Sequence, residues 1–138
     1  MFRPRFHLAF PVSDLDEARG FYVGVLGCRE GRSSETWVDF EFFGHQLSAH
    51  LSDRTDEEAS NEVDGDQVPV RHFGAILEWG EWEAMAERLE VAGVEFMIRP
   101  RVRFEGAVGE QGTFFVRDPS RNVIELKSFR DDEQVFAR

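Results

Sequence analysis

The sequence predicts an α+β fold made of two copies of one module, a strand and a helix followed by three strands. Three observations lead there. The stretch His7-Leu8-Ala9-Phe10-Pro11-Val12 is echoed 65 residues later by His72-Phe73-Gly74-Ala75-Ile76-Leu77, each histidine being followed by five apolar or small residues, and a repeat of this kind decides the architecture before any local signal does. Each stretch then runs into a helical pattern that stops on a glycine, Gly27 or Gly93. Each helix is followed by short alternating runs separated by turn residues.

At 138 residues the chain fits a single domain with a real core. Its expected parts are module one over about 4–52, an acidic linker loop over about 53–67, module two over about 68–130 and a polar tail over 131–138. Fourteen Phe against one Tyr point to a dry core or an apolar pocket. A formal net charge of −11 and a pI near 4.8 exclude a nucleic-acid partner, which needs a basic stripe, and docking on anionic lipid. Cys28 stands alone, fits a reducing compartment and reads as a small buried residue. No apolar run reaches the length of a membrane span, and the first residues lack the apolar core of a signal peptide, so the expected location is the cytoplasm.

Residues 5–12 form the first strand, with Phe6, Leu8 and Phe10 on one side and His7 and Ala9 on the other. Pro11 marks its end or an edge position. Asp14, with Glu17 three residues on, opens a helix as a capping box. Leu15, Ala18, Phe21, Tyr22, Val25 and Leu26 make its apolar face. Strands follow at 28–33, 37–43 and 45–51, the last two joined at Gly44. Val38, Phe40 and Phe42 share a face, as do Gln46, Ser48 and His50. Residues 52–67 are acidic and poor in apolar side chains, so they read as a solvated loop. Module two repeats the order. A strand spans 72–79, and a helix over 80–92 buries Trp82, Met85, Ala86 and Leu89. A strand at 94–98 precedes a basic and polar connection over 99–112. A strand at 113–117 and a turn at Asp118-Pro119 lead to the closing strand at 123–129, where Val123, Glu125 and Lys127 share a face. The tail carries one apolar spot, Val135-Phe136.

Matching the halves puts His7 and His72 at the same point of equivalent strands. Glu125, between Ile124 and Leu126, is an acid where burial costs several kcal/mol unless a partner or a metal offsets it. Two imidazoles and a carboxylate on rigid strands suit a divalent cation with open coordination positions, among Fe(II), Mn(II), Zn(II), Ni(II) and Co(II). The same residues also fit a plainer reading: two hydrogen-bonded core histidines and an outward-facing strand acid.

The motifs His-Leu-Ala-Phe-Pro-Val at 7–12, Asp-Leu-Asp-Glu-Ala-Arg-Gly-Phe-Tyr at 14–22, Val-Leu-Gly-Cys at 25–28, His72, Ala-Gly-Val at 92–94 and Asp-Pro-Ser-Arg-Asn-Val-Ile-Glu-Leu-Lys at 118–127 resemble the vicinal oxygen chelate superfamily. That superfamily includes glyoxalase I, fosfomycin and bleomycin resistance proteins and type I extradiol dioxygenases. The resemblance covers nearly the whole chain. It implies two βαβββ modules in a curved, barrel-like mixed sheet around a cavity, with His7, His72 and Glu125 as metal ligands. Glyoxalase-like members add a fourth, acidic ligand from the last strand of module one. Here Ser48 is the counterpart, so the set resembles the extradiol and fosfomycin patterns. The implied activity is Fe(II)-type dioxygenation of a small, oxygen-chelating substrate, aromatic or otherwise apolar. The alternatives are a glyoxalase-like lyase or isomerase, or a drug-binding protein of the bleomycin-resistance type. His50 then reads as an acid–base group or a surface histidine. Arg101 and Arg103 read as a clamp for a substrate carboxylate or a solvated loop. Family members commonly form homodimers, sometimes by exchanging modules. Arg121 stands where the family has Gly, and a left-handed residue there costs about 1 kcal/mol.

Overall fold

The α+β expectation holds in the computed structural model, which describes residues 3–54 and 59–138. These residues carry ten strands and two α-helices. The chain divides into two compact units, residues 1–56 with 118–122, and residues 57–117 with 123–138.

In the first unit β1 (His7–Val12), β2 (Arg29–Ser33), β3 (Trp37–Phe42) and β4 (His45–Leu51) form a sheet in the order β1-β4-β3-β2. β1 runs parallel to β4 and the other pairs are antiparallel. The edge place of β1 accommodates Pro11, which has no N–H to give a neighbour. Phe43 and Gly44 turn the chain between β3 and β4 with φ of 49° and 84°, the two-residue turn whose twist matches a hairpin. Asp14 caps α1 (Leu15–Arg19), its Oδ1 accepting from the Glu17 N–H at 2.8 Å. The helix differs from expectation after Arg19, where it widens into a π-helical turn over Gly20–Val25. Gly20 and Gly24 weaken the α-helix there, and the wider turn lets the consecutive Phe21 and Tyr22 both enter the core. Gly27, at φ 80°, ends it.

Tyr22 is the centre of this core. It stacks on Phe40 at 5.1 Å and meets Phe10 and Phe21 at 5.4 and 5.1 Å; Val12, Val38 and Ala49 of the same unit are fully buried. Its hydroxyl donates to Asp118 Oδ2 at 2.8 Å, and burial, reinforced by that carboxylate, pushes the phenol well above its usual range. Asp118 also accepts from the backbone N–H groups of Ser120 and Asn122. Asn122 ties the segment to the Pro11 carbonyl at 2.8 Å. Arg121 takes the left-handed conformation expected of it, with φ 70°.

In the second unit β7 (Phe73–Ile76), β8 (Phe96–Arg103), β9 (Gln111–Arg117) and β10 (Val123–Phe129) repeat the arrangement, in the order β7-β10-β9-β8 with β7 parallel to β10. α2 (Trp79–Val91) buries Trp82 and Leu89 against one face, and Trp82 Nε1 donates to the Leu126 carbonyl at 2.9 Å. The strand expected over 72–79 is shorter, His72 lying just ahead of it. The connection expected over 99–112 is strand as far as Arg103.

The linker reading of 53–67 needs the larger correction. Residues 55–58 of it lie outside the described residues, but from Ala59 the chain is a hairpin, β5 (Ala59–Val63) and β6 (Asp66–Val70), turning at Asp64 and Gly65 with φ of 45° and 85°. Its apolar side is small but sufficient. Val68 packs into a cluster with Phe115 and Val123, and Val63, Met97 and Ile98 surround it. The acids anchor the hairpin instead of dissolving it. Asp64 and Asp66 pair with Arg101 at 3.0 and 3.1 Å. Asp66 also lies 2.9 Å from Nη2 of the buried Arg103, whose Nη1 donates to the Val63 carbonyl at 2.5 Å. The Nη2 contact is an ion pair without hydrogen-bond alignment. Asp66→Ala leaves the Arg103 charge uncompensated and is expected to cost about 3 kcal/mol, the lower end for a buried pair because the aspartate is partly exposed. Urea denaturation checks this, and a shift under about 0.5 kcal/mol would mean that the pair contributes no more than a surface bridge.

The tail forms a single 3₁₀ turn, Asp132–Phe136, with Phe136 exposed. No helix among the described residues is long and apolar enough to cross a membrane.

Candidate metal centre

Glu125 sits mid-way along β10, where alternation turns it to the face opposite α2. It is 7% exposed, and its carboxylate is held at both oxygens. Oε2 accepts a short hydrogen bond from the buried Thr113 hydroxyl on β9. Oε1 lies 3.1 Å from His72 Nε2 and 3.8 Å from Lys127 Nζ. The backbone brings these groups together. β7 pairs with β10 so that Gly74 stands opposite Glu125, and a side chain on Gly74 would collide with the Glu125 carbonyl. His72, two residues before that close approach, is delivered to the carboxylate and rests edge-on against Phe115 at 5.0 Å between centroids.

The hydrogen bonds fix the chemistry of this pair. His72 Nδ1 lies 2.6 Å from the Pro69 carbonyl, and a carbonyl only accepts, so Nδ1 carries the hydrogen. In the neutral ring Nε2 is then a bare lone pair, pointed at a carboxylate oxygen that is also an acceptor. Two acceptors at 3.1 Å need a cation between them, either a proton on Nε2 or a metal ion. The titration follows suit. The hydrogen bond to Glu125 raises His72 above its ordinary value, burial opposes this, and the Pro69 carbonyl adds to the rise. Burial by itself would raise Glu125, but the hydrogen bonds from His72 and Thr113 and the Lys127 charge outweigh it and leave the carboxyl below its ordinary value.

His7 opens β1 in the first unit. Its Nδ1 is 2.8 Å from Gln46 Oε1 on β4. Ser48 stands opposite Ala9 on the neighbouring parallel strand as Glu125 stands opposite Gly74, so the registers make it the counterpart of Glu125. Its hydroxyl donates to Asp39 Oδ1 on β3 at 2.5 Å, and Gln46 Nε2 donates to the other oxygen of the same carboxylate at 3.3 Å. Sequence reasoning missed Asp39. The signal was present, because a two-residue turn at 43–44 pairs 42 with 45 and therefore 39 with 48. His50 is exposed on β4, in register with Pro11 and Trp37. Arg101 and Arg103, expected near a substrate, carry the ion pairs to the hairpin described above. Among the described residues no group of three or more His, Cys, Asp or Glu is gathered closely enough to hold a metal ion. The structure brings His72 to Glu125, and it gives His7 to Gln46.

The sequence profile of the Glyoxalase/Bleomycin resistance protein/Dioxygenase superfamily matches residues 6–126. The chain belongs to that superfamily. The matched span begins one residue before His7 and ends one residue after Glu125. A superfamily structure, a glyoxalase/bleomycin resistance protein/dioxygenase from Alicyclobacillus acidocaldarius, is 39% identical over 96% of both chains with a TM-score of 0.84. An integron cassette protein from V. cholerae is 25% identical over 93% of this chain and 96% of its own, with a TM-score of 0.64. The fosfomycin resistance protein FosX from Listeria monocytogenes shares the superfamily fold, at 21% identity over 97% and 98% of the two chains and a TM-score of 0.71. Among curated proteins no sequence matches.

Proposed function

We propose that the chain is a metal-dependent enzyme of this superfamily, in which His7, His72 and Glu125 hold a divalent cation that a small oxygen-chelating substrate approaches. The observation that supports it is the His72–Glu125 contact, two acceptors at 3.1 Å with the other ring nitrogen committed to Pro69. That arrangement fits a cation. When bound, the metal supplies Lewis-acid chemistry and a template for the substrate oxygens. The protein holds the carboxylate in place through Thr113, fixes the His72 ring through the Pro69 carbonyl, and keeps Lys127 beside the acid. His50, two residues beyond Ser48 on the same strand, is our candidate proton carrier. We assign Arg101 and Arg103 to holding the hairpin.

Ser48 is our ground for favouring one activity. A hydroxyl donated to Asp39 stands where a fourth, acidic ligand would, and a three-ligand set leaves more open positions. We therefore favour Fe(II) and dioxygenation over glyoxalase-type isomerisation. Protein loaded anaerobically with Fe(II) should consume dioxygen with a substrate bearing two adjacent oxygens, such as a catechol. Turnover of a thiol adduct with Ni(II) or Zn(II), without oxygen uptake, would replace this reading with the lyase.

We take the working unit to be a homodimer with exchanged modules, so that His7 reaches the His72–Glu125 pair of a second copy of this chain. His7→Ala and His72→Ala should each load no metal. Co-expressed, they should recover about one quarter of the wild-type sites, because half of randomly paired dimers are mixed and each mixed dimer has one intact site of two. No recovery would remove the exchange. Full metal in His72→Ala alone would remove the metal centre.

A further inference from the structure

We propose that Asp39 sets the tautomer of His7 through Gln46, which makes it a positioning residue for that ligand; this rests on the assignment of His7 to the metal. One hydrogen-bonded chain runs from Ser48 through Asp39 and Gln46 to His7 on one face of the first sheet. A carboxylate only accepts, so the Gln46 amide must turn its NH₂ toward Asp39 Oδ2, 3.3 Å away. Its carbonyl oxygen then faces His7 Nδ1 at 2.8 Å. That oxygen also only accepts, so Nδ1 carries the hydrogen and Nε2 is left as the free lone pair a metal needs. Ser48 holds Asp39 from the other side at 2.5 Å and keeps the carboxylate turned to the chain.

The two histidines thus reach the same tautomer by different means. For His72 the acceptor is the backbone carbonyl of Pro69, which cannot exchange donor for acceptor. For His7 it is a side-chain amide, which can. Rotated by half a turn, the Gln46 amide would present its NH₂ to Nδ1, and the hydrogen would move to Nε2 and block coordination. Asp39 is what forbids that rotation. Groups that orient a metal-bound histidine through its second nitrogen commonly change metal affinity by about 10- to 100-fold when removed.

The test is the ring ¹⁵N spectrum of His7 in metal-free protein, whose shifts tell Nδ1–H from Nε2–H, together with calorimetric titration of Zn(II). Wild type should show Nδ1–H. Asp39→Asn, nearly isosteric, frees the amide and should shift His7 toward Nε2–H and weaken Zn(II) by about 10- to 100-fold. The double variant Asp39→Asn/Gln46→Glu restores an obligate acceptor beside Nδ1 and should return both the tautomer and most of the affinity. Thermal unfolding of each variant confirms that the fold is intact. If His7 keeps Nδ1–H in Asp39→Asn, the inference is overturned whatever the metal does. If wild type binds no metal while the tautomer switches as described, the Asp39–Gln46 chain stands and the metal reading of His7 is what fails.

Discussion

Gly74→Ala is expected to lower stability by at least the upper end of the about 1–3 kcal/mol usual for overpacking, and to remove metal uptake with it. An ideal Cβ on Gly74 would lie 1.5 Å from the Glu125 carbonyl oxygen and 2.6 Å from its carbon. Those are backbone atoms of the central strand β10, so no side-chain rotation relieves the clash. β7 would have to peel away from β10, and it holds only four paired positions there, from Phe73 to Ile76. His72 immediately precedes those positions and would leave the carboxylate when they open. The loss of stability and the loss of the site are therefore one event. Denaturation midpoints and metal stoichiometry measure the two consequences. A variant within about 0.5 kcal/mol of wild type would show that the strands tolerate a wider spacing than the register implies.

How much of this was legible beforehand differs between the halves of the chain. The repeat, the Asp14 cap, the turn at Gly44 and the closing strand at Glu125 follow from local chemistry: a side-chain oxygen at a helix start, a residue that accepts positive φ, period-two alternation. The hairpin at 59–70 was hidden because its stability is not local. Its acids look like a solvated run until Arg101 and Arg103, some 35–40 residues on, are seen to pair with them. Yet Asp64-Gly65 is itself a hairpin signal of the Asp-Gly type, set among charges that look like a solvated loop. At the site, the repeat picked out His7 and His72, and the flanking apolar residues picked out Glu125. Thr113, the Pro69 carbonyl and Asp39 were not singled out, because a partner across strands is visible only once the register is known. Asp39 shows how near that boundary lies: counting outward from a two-residue turn places it opposite Ser48.

Metal affinity should fall at least about tenfold for each pH unit below the raised value of His72, because the site must release the His72 proton to take the ion. On the proposed assignment, the proton on Nε2 and the metal would compete for the same position beside Glu125 Oε1, 3.1 Å from Nε2. The metal-free protein carries the complementary signature. His72 is raised above its ordinary 6.5, so its contribution to stability is complete below about that pH and is lost as pH rises through the raised value. Glu125 is lowered below its ordinary 4.5, so its contribution is complete above about that pH and is lost as pH falls through the lowered value. Metal-free stability should therefore be greatest between roughly 4.5 and 6.5 and decline on both sides. Glu125→Gln removes the carboxylate that holds the proton, so His72 returns toward its ordinary value and the acid limb tied to Glu125 disappears. The same substitution takes away a charged ligand, so the ion binds more weakly at every pH even as its proton competition moves downward. Titrations of Zn(II) across this range, in buffers of different ionisation enthalpy, count the proton directly. An affinity flat with pH, or no proton released, would mean that the ion does not bind between His72 and Glu125.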